Sequence, residues 1–99
     1  MALTQSNVVM RTARLNSKIK RVRGWDTTEA GKAITRTYTF PSFPASIRFV
    51  SYVAELAESM DHHPDIDVRY DKVTLTLSTH DAGGVTDKDF ALVKLIDQR

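Results

Sequence analysis

Val73-Thr74-Leu75-Thr76-Leu77-Ser78 puts an apolar side chain at every second position and a hydroxyl between each pair. Successive side chains of a strand point to opposite faces, so this alternation predicts a strand over residues 72–79 with one core face and one polar face. Just upstream, residues 67–70 can form a short strand, and so short a link favours antiparallel pairing between the two. Before them, residues 44–61 predict the main helix. Pro44 falls in its first turn, where a missing N–H is tolerated. Ile47, Val50, Ala54, Ala57 and Met60 mark one stripe, and Phe49, Tyr52, Val53 and Leu56 widen it beyond a single core face. A helix apolar over that much of its circumference is deeply buried or shared with another subunit, and in a chain of 99 residues the second is expected. Pro64 disfavours helical geometry at His63, which places the helix end near His62.

Residues 32–40 read as another strand, with Ile34, Arg36, Tyr38 and Phe40 on one parity and Thr35, Thr37 and Thr39 on the other. Ala30-Gly31 is a weak turn signal, and Trp25 opens an extended segment after Gly24. Residues 13–22 predict a short first helix through Leu15, Ile19 and Val22. Past the 72–79 strand, Asp81-Ala82-Gly83-Gly84 is a loop and Thr86 a credible N-cap for a last helix carrying Phe90, Leu92, Val93 and Ile96. Asp89, three residues after Thr86, completes a capping-box-like start with Asp in place of the usual Glu. The order is helix, two strands, helix, two strands, helix. Its economical solution is an α+β domain, a four-stranded antiparallel sheet with three helices packed on one face. Residues 1–12 are expected to be a flexible basic leader and residues 13–99 a single domain.

The net charge of +2 hides an asymmetry, because Arg11, Arg14, Lys18, Lys20, Arg21 and Arg23 all precede the first acidic residue, Asp26. Such a front could touch nucleic acid or serve organelle targeting. With no nucleic-acid motif elsewhere, it reads as the solvated face of a first helix plus a loose tail. There are no cysteines, which excludes disulfides and cysteine-based zinc sites. No apolar run approaches the roughly 20 residues that span a bilayer. A cytoplasmic protein is the natural expectation.

All three histidines fall near element ends. His62 and His63 lie at the exit of the main helix, and His80 lies just past the 72–79 strand. Imidazole is the side chain suited to proton transfer near neutrality. Glu58 is four residues before His62, a spacing that puts both on one helix face, where the carboxylate could orient or charge the ring. Read locally, an adjacent histidine pair is often two exposed loop residues, and Glu58 a solvated helix residue. No H-x-x-x-H spacing occurs, so no metal site is expected. Because end-of-element polar positions contribute little to a core, replacing any of the histidines is expected to spare folding.

Together the pattern exceeds its parts. Glu58, three residues, His62-His63-Pro64, five residues, Tyr70, nine residues, His80, eight residues, Asp89 resembles the signature of pterin-4a-carbinolamine dehydratases. Gly24-Trp25, Tyr38-Thr39-Phe40, Phe43, Phe49, Val53-Ala54 and Leu77-Ser78-Thr79-His80-Asp81 followed by Gly83-Gly84-Val85-Thr86 also look like that family. The resemblance covers roughly residues 15–98. It implies a four-stranded antiparallel sheet with three helices, a homodimer or homotetramer, no cofactor, and a pterin substrate. The reaction implied is dehydration of 4a-hydroxytetrahydrobiopterin, or a related pterin, to the quinonoid dihydropterin in tetrahydropterin recycling. It also implies substrate contacts at Asp61, His62 and His63 and at Ser78, Thr79, His80 and Asp81, with Glu58 and Asp89 in support. One departure is Ile66, where many relatives carry tryptophan.

The C4a hydroxyl leaves poorly until protonated, and its loss must be coupled to loss of the N5 proton. One histidine acid and one histidine base on opposite sides of a ring can do both. His62, His63 and His80 form the catalytic set, with His62 and His80 assigned as that pair and His63 mainly to substrate binding, and with swapped roles as the alternative. Some relatives of this kind also act as protein partners, including a dimerisation cofactor of a homeodomain transcription factor. A protein-binding module, whether coactivator or assembly factor, is therefore the alternative function.

Overall fold

Asp26–Thr28, Ala33–Thr39, Asp65–Arg69 and Lys72–Leu77 form strands β1 to β4 of one antiparallel sheet, ordered β1-β2-β4-β3, in this computed structural model, which describes residues 8–99. Three helices, α1 (Thr12–Ile19), α2 (Phe43–Met60) and α3 (Asp87–Ile96), complete the α+β domain expected from the sequence. The register puts Ile34 opposite Leu77 and Tyr38 opposite Val73 on the core face. On the other face the threonines pair across strands, with Thr37 and Thr74 hydroxyls 2.8 Å apart and Thr35 and Thr76 hydroxyls 3.3 Å apart. Such cross-strand pairs are the unit of sheet stabilisation.

Several boundaries shift for identifiable reasons. The first helix ends at Ile19 and not near residue 22, because Arg21 and Val22 N–H groups turn back to Lys18 and Ile19 carbonyls and Gly24 takes φ 88°. The third strand starts at Asp65, earlier than residue 67. It is an edge strand, and its Asp65, Asp67 and Arg69 are exposed, the charge pattern that discourages edge-to-edge pairing. Residues 1–7 of the expected leader lie outside the described residues. Of the remainder, Met10 is buried in the core, and its N–H donates to the Val85 carbonyl at 2.8 Å. The packed domain therefore begins ahead of residue 13. A Cβ on Gly84 would meet Val9 Cγ2 at 2.6 Å, so a larger residue there would require the exposed Val9 side chain to shift.

Helix α2 begins on Ser42, whose hydroxyl accepts from the Ala45 N–H at 3.2 Å, with Pro44 in the first turn. Its buried face is Ser46, Phe49, Val53 and Ala57, so the expected stripe through Ile47 and Ala54 is not the core stripe. A serine can hold that face because its hydroxyl donates to the Ser42 carbonyl at 3.2 Å. Ile47 stays 40% exposed and Phe43 47% exposed.

Away from the histidines, Asp97 follows α3 and gathers three donors: Trp25 Nε1 at 3.0 Å, the Tyr38 hydroxyl at 2.7 Å and Arg36 Nη1 at 3.3 Å. Burial, then the hydrogen bond to Asp97, pushes the Tyr38 hydroxyl well above its ordinary pKa. Among the described residues no helix is long and apolar enough to cross a membrane.

Candidate active site

Asp61 closes α2 in the left-handed region, at φ 52°, with its N–H turned back to the Ala57 and Glu58 carbonyls. That reversal decides where the two histidines go. His62 is carried inward and is only 8% exposed. His63 is carried outward, and its Nε2 lies 3.0 Å from Glu58 Oε1 on the surface. The expected Glu58–His62 pair is thus replaced by Glu58–His63, because the helix stops two residues before the i, i+4 relation can form.

The partner of His62 is Asp89. His62 Nε2 lies 2.6 Å from Asp89 Oδ1, and the carboxylate is fully buried. Asp89 Oδ2 accepts from Thr79 Oγ1 and from the Thr86 N–H, both at 2.9 Å. The second of these belongs to the capping box that starts α3. Thr79 and Thr86 hydroxyls lie 2.7 Å apart, and since Thr79 donates to Asp89, Thr86 donates to Thr79. Every buried side-chain polar atom among the described residues has a partner. An ionised carboxylate only accepts, so Asp89 draws the His62 proton to Nε2 and leaves Nδ1 as the ring's basic nitrogen.

His80 enters from β4. The strand ends at Leu77, Thr79 bridges back to Gly84, and His80 opens a single 3₁₀ turn, His80–Ala82, with an exposed imidazole. Ser78 is held by its hydroxyl, which donates to the Lys32 carbonyl at 2.8 Å. The structure brings the helix exit and the strand exit together. Asp61, His62, His63, Ser78, Thr79, His80 and Asp81 line one open cleft of about 210 Å³. Lys88 lines it too, a residue that reasoning from sequence missed. It lies two residues after the Thr86 cap, in the first turn of α3. Asp89 and Glu58 are not in the wall; Asp89 is bonded to His62 and Glu58 to His63. Among the described residues no group of three or more His, Asp or Glu is placed to hold a metal ion.

The family model for pterin 4 alpha carbinolamine dehydratase matches residues 8–99, nearly the whole chain. The chain belongs to that family. A provisionally named pterin-4-alpha-carbinolamine dehydratase of Roseiflexus castenholzii is 50% identical over 90 residues, covering 91% of this chain and 95% of its own. One from Chloroflexus aurantiacus reaches 60% over 65 residues, 66% of this chain and 70% of its own. Among solved structures, a transcriptional coactivator/pterin dehydratase from Brucella melitensis superposes with a TM-score of 0.86 at 30% identity, covering 91% of this chain and 96% of that one. A pterin dehydratase-like protein identified as a RuBisCO assembly factor in the alpha-carboxysome shares the fold, with a TM-score of 0.65 at 21% identity over 77% of this chain and 88% of that one. Within the pterin dehydratase fold, then, the histidine cleft lies where the α2 and β4 exits meet the α3 cap.

Proposed function

We propose that this pterin dehydratase-family chain removes water from 4a-hydroxytetrahydrobiopterin, or a related pterin-4a-carbinolamine, by histidine acid–base catalysis in cytoplasmic tetrahydropterin recycling. The observation that carries this reading is the 2.6 Å bond from buried Asp89 to His62, behind a cleft that two further imidazoles line. Asp89 orients the ring and stabilises the imidazolium that forms when Nδ1 takes a proton, the logic by which a buried carboxylate supports a general base. His62 is accordingly the base that removes the N5 proton. His80, exposed at the other side of the cleft, is the acid that protonates the departing C4a hydroxyl. The C4a–O bond breaks, the N5 electron pair forms the C4a–N5 double bond, and water leaves. His63, steadied by Glu58, binds the substrate with Asp61, Ser78, Thr79 and Asp81.

The direct test is dehydration of synthetic 4a-hydroxytetrahydropterin beside a His63→Ala control. Turnover is expected for the wild type, with a raised apparent KM for the variant, and no turnover above the spontaneous rate would sink the reading. Because imidazoles suffice for both proton transfers, dialysis against a strong chelator is expected to leave the rate unchanged. A loss that zinc restores would contradict it.

The chain is also proposed to be a homodimer or homotetramer. Phe43 and Ile47 expose apolar surface on the outer side of α2, beside half-buried Val50. Light scattering is expected to give a mass above the 11.1 kDa monomer at micromolar concentration, and Ile47→Glu to lower it. Only a monomer for the wild type would remove this proposal. A protein-binding role is the second reading, favoured by the coactivator and assembly-factor names of the two structural relatives.

A further inference from the structure

The basic front of the sequence finds a place that the histidine cleft does not use. Lys18 from α1, Arg21 and Arg23 from the turn after it, Arg36 from β2 and Lys94 from α3 converge on one groove of about 790 Å³. Its floor is Val22, Phe90 and Val93, and it shares no lining residue with the cleft.

The groove's charge is unbalanced. Its one carboxylate, Asp97, already accepts from Trp25, Tyr38 and Arg36. Lys18 is near Asp87, at 3.9 Å. Among the described residues Arg21, Arg23 and Lys94 have no carboxylate within ion-pair distance, and all three are exposed. Like charges gathered without counter-charges repel one another, so a ligand supplying carboxylates gains from each of them.

We propose that this groove docks an acidic segment of a partner protein, one that alternates carboxylates with apolar side chains. The carboxylates would meet the cationic rim, and the apolar side chains would meet half-buried Val22 and the alkyl stems of the rim lysines and arginines. A nucleic acid fits less well. Single strands bind by stacking bases on open aromatic rings. The one ring in this groove, Phe90, is only 8% exposed, and the Lys18 ammonium already lies 5.4 Å from its centroid. A second copy of the chain is the internal competitor, because Asp65-Ile66-Asp67 on the exposed edge strand has the same acidic and apolar alternation.

The test is titration calorimetry of the full chain with a short peptide of alternating glutamate and leucine. A glutamine–leucine peptide, an all-glutamate peptide and a single-stranded RNA of equal charge serve as comparisons. The glutamate–leucine peptide is expected to bind most tightly, and more weakly as salt rises. Arg21→Ala/Arg23→Ala/Lys94→Ala is expected to weaken it about tenfold or more while melting temperature and pterin dehydration stay unchanged. If that triple variant melts early, Arg21→Gln/Lys94→Gln carries the same comparison with the side-chain stems kept. Absence of binding at low salt, equal binding by the variant, or tighter binding of the RNA overturns the proposal. So does a variant that loses oligomer mass, since the groove would then be filled by another copy.

Discussion

Asp89→Ala is expected to destabilise the domain by about 3 kcal/mol or more, the scale at which removing one partner of a buried charged pair acts. In a domain of this size that corresponds to a fall in melting temperature of roughly 10–25 °C. The expectation follows from how many groups the carboxylate satisfies at once. His62 Nε2, Thr79 Oγ1 and the Thr86 N–H all point at it, and it has no solvent to replace it. Alanine would leave those donors facing a dry void and remove half of the α3 capping box. Asp89→Asn keeps one oxygen acceptor and the volume, and is expected to fall between the wild type and alanine. Thermal melts settle the matter. A shift under about 2 °C for Asp89→Ala would show that the network is not what holds the end of α2 to the start of α3.

His80→Ala is expected to do the opposite, lowering turnover on the order of 10²–10⁴-fold while leaving the melt in place. The His80 imidazole is exposed and makes no hydrogen bond or ion pair among the described residues, so its removal takes nothing from the scaffold. A drop in kcat with KM little changed is the mark of a group that acts in the transition state. Both 4a stereoisomers should be tried, because each presents its hydroxyl to a different face. Wild-type turnover of both by His80→Ala would remove His80 from the mechanism. His62→Ala gives the diagnostic contrast, because it should lower both rate and stability. The expectation that every histidine can be replaced without harm to folding rests on exposed positions, and His62 is instead 8% exposed and bonded to a buried carboxylate, so its melt is the one to test.

The contrast between those two histidines shows what the sequence could reveal and what it could not. The β4 alternation, the Thr86–Asp89 cap and the order of elements are local signals, and the structure carries each of them. The His62–Asp89 bond joins residues 27 positions apart. It depends on Asp61 adopting a left-handed conformation that no local pattern announced, since aspartate is only an occasional left-handed cap. The same kind of ambiguity misplaced the core stripe of α2. A helix apolar on most sides offers two candidate faces, and Ser46 looked polar until its hydroxyl bonded within its own first turn. Lys88 went unnoticed because a lysine after a helix cap looks the same whether solvent or a cleft lies opposite.

Trp25 is the chain's one tryptophan, and its surroundings make it an optical reporter for one end of the molecule. The indole is buried, donates to Asp97 just past α3, and sits edge-on to Tyr38 with ring centroids 6.3 Å apart. Its emission should therefore be blue-shifted while the last turn of α3 stays docked on β2. Fraying of residues 97–99 would wet the ring and move the emission to longer wavelength before the rest of the sheet opens. The same ring neighbours Arg36 through their shared carboxylate, so filling the basic groove should change its intensity, whereas a ligand confined to the histidine cleft would meet none of the residues around it.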